Sequence, residues 1–140
     1  MTEVIDILNT LIHEDHSWLA RVGRREHLQR GAVLIRENEP VDTLVFILSG
    51  VVSVEVSGVG EVARIANAEI VGEMSLLEDT LPLATVTALE PINVLRVGRR
   101  RLVAKLKSDP AFASRFYCAV AVFMSLRLRR TIERLRQNKS

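Results

Sequence analysis

A chain of 140 residues, 48% of them hydrophobic, is long enough for one domain with a packed core and too apolar for a disordered tail. A lone cysteine, Cys118, excludes an internal disulfide, and with no signal-peptide pattern the expected location is cytoplasmic. The net charge of +2 hides a split: residues 1–95 carry 6 Lys/Arg against 15 Asp/Glu (−9), and residues 96–140 carry 13 against 2 (+11).

Val4, Ile5, Leu8, Leu11 and Ile12 recur at three- and four-residue steps, which predicts an N-terminal helix with one apolar face. A second short helix is expected over Glu14–Val22, with Trp18, Leu19 and Val22 as packing residues. From Arg24 the pattern changes to short extended runs. Leu28-Gln29 leads to a turn at Arg30-Gly31, Ala32–Arg36 is extended, and Glu37-Asn38-Glu39-Pro40 is a turn. Leu44–Leu48 is a continuous apolar run closed by Ser49-Gly50. Val52, Val54 and Val56 alternate with polar residues, as in a half-buried strand, and Gly58-Val59-Gly60 joins this strand to Glu61–Ile65 as a hairpin. After an interruption at Gly72–Pro82, strands are expected again at Ala84–Leu89 and Ile92–Val97. Short, closely spaced strands argue for a sandwich or barrel rather than a parallel α/β sheet.

The last third returns to helix, first over Arg99–Lys107. Ser108-Asp109-Pro110 then breaks the chain and starts a long helix from Ala111 to about Gln137. Two apolar stripes run along it. Phe112, Phe116, Val120 and Phe123 form one, and Ala121, Met124, Leu128, Ile132 and Leu135 the other. One stripe suffices to cover the barrel, which leaves the other for a second copy of the chain in a coiled coil. The longest apolar run, near Phe116–Leu126, is too short to cross a bilayer, so no membrane span is expected.

Catalytic and metal chemistry find little support. There is no CxxC pair and no HExxH motif, and of His13, His16 and His27 only the first two are close in sequence. No nucleophile–base pair stands out, so neither a catalytic residue nor a metal ligand is assigned. The basic C-terminal segment is expected to face an acidic partner, nucleic acid, the acidic body of its own fold, or solvent.

The most informative stretch is Gly72-Glu73-Met74-Ser75-Leu76-Leu77, followed by Ala84-Thr85-Val86. A glycine ahead of a short helical turn presents free backbone N–H groups suited to an anion. A glutamate there accepts from those amides or from a ligand hydroxyl. Its simplest role is to cap its own helix.

At this point the sequence resembles the cyclic nucleotide-binding domain of bacterial regulators related to the cyclic AMP receptor protein and Fnr. The resemblance covers about Leu19 to Leu135. It rests on Gly31–Glu37, Leu44–Gly50, Ile65–Glu73, Gly72–Leu77 and Ala84–Ala88, matched in that order. The implied fold is mainly β: an antiparallel β-roll or jelly-roll barrel with N-terminal helices and a long C-terminal helix. A single domain then spans residues 1–140, with helices at 1–23, the β-roll at 24–97 carrying a phosphate-binding cassette at 72–86, and helices at 98–140. The resemblance also implies ligand-binding residues: Gly72, Glu73, Met74, Ser75, Pro82, Leu83, Ala84, Thr85 and Arg127. Glu73 would bind the ribose 2′-hydroxyl, and amides near Met74, Ser75 and Ala84 would hold the cyclic phosphate. Arg127 sits near the helix position that contacts the base.

The sequence departs from that pattern where the phosphate should be gripped. Pro82 stands in place of the family arginine and Leu83 in place of the following serine or threonine. Ala66 and Ala68 replace glycines, and Asn38 stands where a turn glycine is common. Removing one partner from a buried charge pair costs about 2–5 kcal/mol, or roughly one and a half to three and a half decades of affinity. Pro82 has no N–H to offer, and Leu83 makes the phosphate end more apolar. A micromolar site would fall towards millimolar unless Arg64 or Arg127 compensates. The expected function is therefore a non-catalytic sensor with no bound cofactor, taking a cyclic nucleotide such as cyclic AMP or cyclic GMP weakly, or another small ligand. The alternative is a ligand-free scaffold for dimerisation or docking through the basic helix. Specific DNA binding is not expected, although the helix arginines are able to hold phosphates without specificity.

Overall fold

The computed structural model describes residues 11–66 and 69–138, without the side chains of Met74 and Leu76. The helix expected over Val4–Ile12 lies outside these residues except for its last two, of which Leu11 is buried. The first described helix, α1 (His13–Val22), begins where the Asp15 carboxylate accepts from the Ile12 N–H at 3.1 Å. It buries Leu19 and ends at Gly23.

Eight strands follow: β1 (Arg24–Leu28), β2 (Val33–Ile35), β3 (Thr43–Ser49), β4 (Val52–Val56), β5 (Gly60–Ile65), β6 (Glu69–Val71), β7 (Thr85–Ala88) and β8 (Ile92–Gly98). They form two antiparallel four-stranded sheets, ordered β1-β8-β3-β6 and β2-β7-β4-β5. The expected antiparallel β-roll is therefore present. The β3 run is apolar throughout because both of its faces are covered. Val45 and Ile47 point between the sheets with Val52, Val71 and Val94. Leu44 and Phe46 point the other way, into a second core beneath the helices. Strand β6 escapes a reading by periodicity. It has only three residues and opens on a glutamate, and all three are buried.

The short helix α2 (Glu73–Glu78) interrupts the roll between β6 and β7. After β8, α3 (Arg99–Ser108) leads into α4 (Pro110–Gln137). The break between them is the expected one. The Asp109 carboxylate accepts from the Phe112 N–H at 3.0 Å, and Pro110 takes the first turn, where a missing N–H costs nothing.

Helix α4 is anchored differently along its length. In its first half Phe112, Phe116, Ala119, Val120 and Phe123 are buried against the outer face of the first sheet and α1. There Arg115 grips the Asp15 carboxylate with two bonds, at 2.7 and 2.8 Å, tying α4 to α1. The arginine holds the Asp15 carboxyl below its ordinary range. Leu128, Ile132 and Leu135 of the second stripe are exposed in the single chain, while Met124 packs at the edge of the core. Taken whole, α4 is long and apolar enough to cross a membrane by length and composition only, although the apolar run read from the sequence is shorter. Its buried phenylalanines, however, are packed on this fold's own sheet.

Candidate functional site

The site forms where β6 turns into α2. Gly72 sits at the helix start with φ of 93°, and a side chain there would come within 3.0 Å of the Thr43 carbonyl oxygen. Only glycine meets both conditions without strain. The turn delivers Glu73 as the first residue of α2, with only 2% of it exposed. That carboxylate is paired. Arg127 Nη1 donates to both of its oxygens, at 3.1 and 3.2 Å, and Nη2 donates to the Ile70 carbonyl at 2.6 Å. The guanidinium also lies over the Phe123 ring, 4.4 Å from its centroid. Its Nε is buried with no hydrogen-bond partner among the described residues.

Helix α2 ends at Asp79, whose φ is 54°, and the chain runs through an exposed loop to β7. In that loop Pro82 is buried and its carbonyl accepts from the Asn38 N–H at 3.0 Å. Asn38 itself has φ of 65°. The turn thus keeps its left-handed geometry with asparagine, the residue that tolerates it best after glycine. Leu83 is 66% exposed.

A cavity of about 90 Å³ lies between this cassette and the roll. It brings together seven of the predicted residues: Gly72, Glu73, Ser75, Pro82, Leu83, Ala84 and Arg127. Thr85 does not line it. Its hydroxyl accepts from the Glu37 N–H at 3.0 Å and faces a separate cleft. The Met74 side chain lies outside the described atoms. Arg64, named as a compensating cation, does not reach the cavity: its side chain is 63% exposed and its Nε pairs with Glu61 at 3.0 Å. Pockets that take drug-sized ligands usually measure about 300–1,000 Å³. The open cleft at the β4–β5 hairpin reaches about 700 Å³, but it carries Glu37 and Glu55 and no cation, a poor setting for an anion.

Sequence reasoning missed the rest of the ion-pair ladder. Arg130 Nη1 reaches Glu69 at 2.7 Å, and Arg134 Nη2 reaches Glu61 at 2.6 Å. Glu69 is buried and also accepts from the Ala66 N–H at 3.0 Å. The Ser53 hydroxyl, with Arg134 and Arg64, pulls the Glu61 carboxyl down to about 2. The signal available in the sequence was the spacing of Arg127, Arg130 and Arg134, which puts all three on one helical face.

An antiparallel roll with a helical cassette, crossed by a long C-terminal helix, defines a class of regulatory ligand-binding domains. The profile of the cyclic nucleotide-binding domain matches residues 25–109. The cAMP-dependent protein kinase regulatory subunit of Debaryomyces hansenii is 30% identical over 95 residues, which make up 68% of this chain and 21% of that one. The chain thus spans about one-fifth of the length of the curated relatives it matches. Among solved structures, a cyclic nucleotide-binding domain from Methylobacillus flagellatus aligns with a TM-score of 0.81 at 23% identity, covering 91% of this chain and 74% of the other. The catabolite activator protein of Thermus thermophilus aligns at 0.73 and 21%, covering 96% and 63%. Both share the fold. The chain belongs to the cyclic nucleotide-binding domain family.

Proposed function

We propose that this chain is a non-catalytic regulatory module whose cassette binds cyclic nucleotides weakly, or binds a different small ligand. One observation carries the reading: the buried Glu73 carboxylate is held by Arg127, while Pro82, which lines the same cavity of about 90 Å³, offers no charge. A cyclic nucleotide would have to share the Glu73 carboxylate with Arg127. It would also have to widen the cavity, and would meet no cation at the phosphate end. The family relationship makes cyclic AMP the first ligand to try. Isothermal titration should give a dissociation constant near millimolar for cyclic AMP and cyclic GMP, and Pro82→Arg should tighten it by about tenfold or more. Micromolar binding by the unaltered chain would reject the reading.

A second reading treats the fold as a scaffold for dimerisation or docking. Leu128, Ile132 and Leu135, exposed at 60%, 43% and 61%, favour it. They continue a single stripe on α4, and we assign that stripe to a homodimeric contact. Sedimentation of the intact chain should show a dimer, and a monomer at high concentration would exclude the contact. We further assign residues 1–140 to one domain in the cytoplasm, where the free, exposed thiol of Cys118 would stay reduced. The module has no sequence-specific role on DNA in this reading.

A further inference from the structure

One end of the first sheet carries more arginines than acids. Strand β1 opens on Arg24 and Arg25, and its register sets Arg24 directly opposite Arg96 of β8. Strand β8 then runs straight into α3, whose first three residues are Arg99, Arg100 and Arg101. Three acids accompany these six cations. Glu26 is shared by Arg24 and Arg96, Asp79 pairs with Arg99 at 3.3 Å, and Asp42 gives its carbonyl oxygen to the Arg99 N–H at 2.7 Å. Arg25, Arg100 and Arg101 are exposed and make no ion pair among the described residues.

Both placements are unfavourable in the free chain. Like charges directly opposite on neighbouring strands repel, and cations in a first helical turn face the positive end of the helix dipole. The first turn of α3 has no acid to offset this, and Gly98 supplies no side-chain cap. A surplus of positive charge held on adjoining elements suits an anion from outside the chain. The chemistry of the surface narrows the kind of anion. None of the exposed large apolar side chains belongs to β1, β8 or α3, so this end lacks the apolar centre of a protein interface and the apolar anchor of a membrane contact. The same three elements hold no Phe, Tyr or Trp on which an unstacked base would lie. What remains is a row of phosphates, which planar guanidinium forks match with paired hydrogen bonds.

We propose that this end of the first sheet, through Arg24, Arg25, Arg100 and Arg101, binds the phosphate backbone of duplex nucleic acid without reading its sequence. The surface belongs to β1 and α3. It shares no residue with the cassette cavity or with the α4 arginines that pair with Glu73, Glu69 and Glu61. It therefore stands whatever the cassette binds.

The test is fluorescence anisotropy of a short labelled DNA duplex of mixed sequence with the intact chain, from about 50 to 200 mM salt. Log affinity against log salt should fall with a slope of about 0.9 for each phosphate contacted. Arg100→Gln combined with Arg101→Gln should make that slope shallower by about 1.8, and Arg25→Gln by about 0.9. Arg129→Gln combined with Arg136→Gln, at exposed positions near the end of α4, should leave it unchanged. A duplex of different sequence should bind equally, and a marked preference for one sequence would reject recognition through phosphates alone. The α3 variants should melt no lower than the parent chain, because they relieve crowded charge. A lower melting temperature would show that these arginines support the fold, and overturns the proposal. So does an absence of duplex binding at the lowest salt, or a slope that responds to the α4 variants and not to those of α3. Binding to phosphatidylserine vesicles but not to the duplex would assign the surface to a membrane instead.

Discussion

The two halves of α4 are held to the same roll by different physics. In the first half four apolar side chains, Phe112, Phe116, Val120 and Phe123, are at most 3% exposed, and the attachment is burial. In the second half Arg127, Arg130 and Arg134 dock on acids of β5, β6 and α2 while the apolar stripe faces outward. Burial is non-directional, whereas ion pairs need their partners in place and weaken with rising ionic strength in step with their exposure. The contrast describes a helix held by burial at one end and by ion pairs at the other, and the ion-paired end carries the arginine that covers Glu73.

The largest effect should come from the fixed half. Phe116→Ala opens a void in the core and should cost about 3–5 kcal/mol, lowering the melting temperature by roughly 10 °C. A shift of only a degree or two in a thermal melt would mean that the first half is not the anchor. Next is the junction between the halves. Arg127→Ala leaves the Glu73 carboxylate buried and unpaired, at a cost of about 3 kcal/mol in urea unfolding. Arg127→Lys should recover part of that and lose the fork.

Acid should act through the depressed carboxyls. Asp15 and Glu61 titrate below their ordinary values of 3.8 and 4.5 in the folded chain, so their contributions are complete above those values and disappear as pH falls. Unfolding free energy should decline from just above pH 4.5 down to about 2, and Glu61→Gln should flatten that slope.

Smaller effects separate the halves most cleanly. Arg130 is 48% exposed, and Arg130→Gln should change stability by less than about 1 kcal/mol. Amide exchange should nevertheless quicken after residue 127 and stay unchanged over residues 112–123. Equal exchange in both segments would erase the distinction. Leu128→Glu should leave the stability of the single chain within about 0.5 kcal/mol, yet dissociate any dimer seen by sedimentation.

Much of this architecture was legible beforehand, and the places where reading failed share a cause. The alternation of Val52, Val54 and Val56 located β4, and Asp109-Pro110 located the start of α4. Both depend on neighbours along the chain. Strand β6 went unread because three residues carry no period, and its first residue, Glu69, is buried through bonds to Ala66 and Arg130. In the site, Gly72 and Glu73 were evident from the turn that they make. Thr85 belongs instead to the bond with Glu37, a partner 48 positions away.

The sequence by itself determined the family, the order of the elements, the break before α4 and the two stripes on it, because periodicity, caps and turn residues act over a few positions. The resemblance also led to the expectation that Pro82 occupies the place of a cation. Only the tertiary structure decided which stripe is buried, that Arg127 rather than Arg64 reaches Glu73, and that Arg134 reaches Glu61. Those outcomes depend on which groups are brought together across separations of 54 to 73 positions, and no local pattern records such a separation.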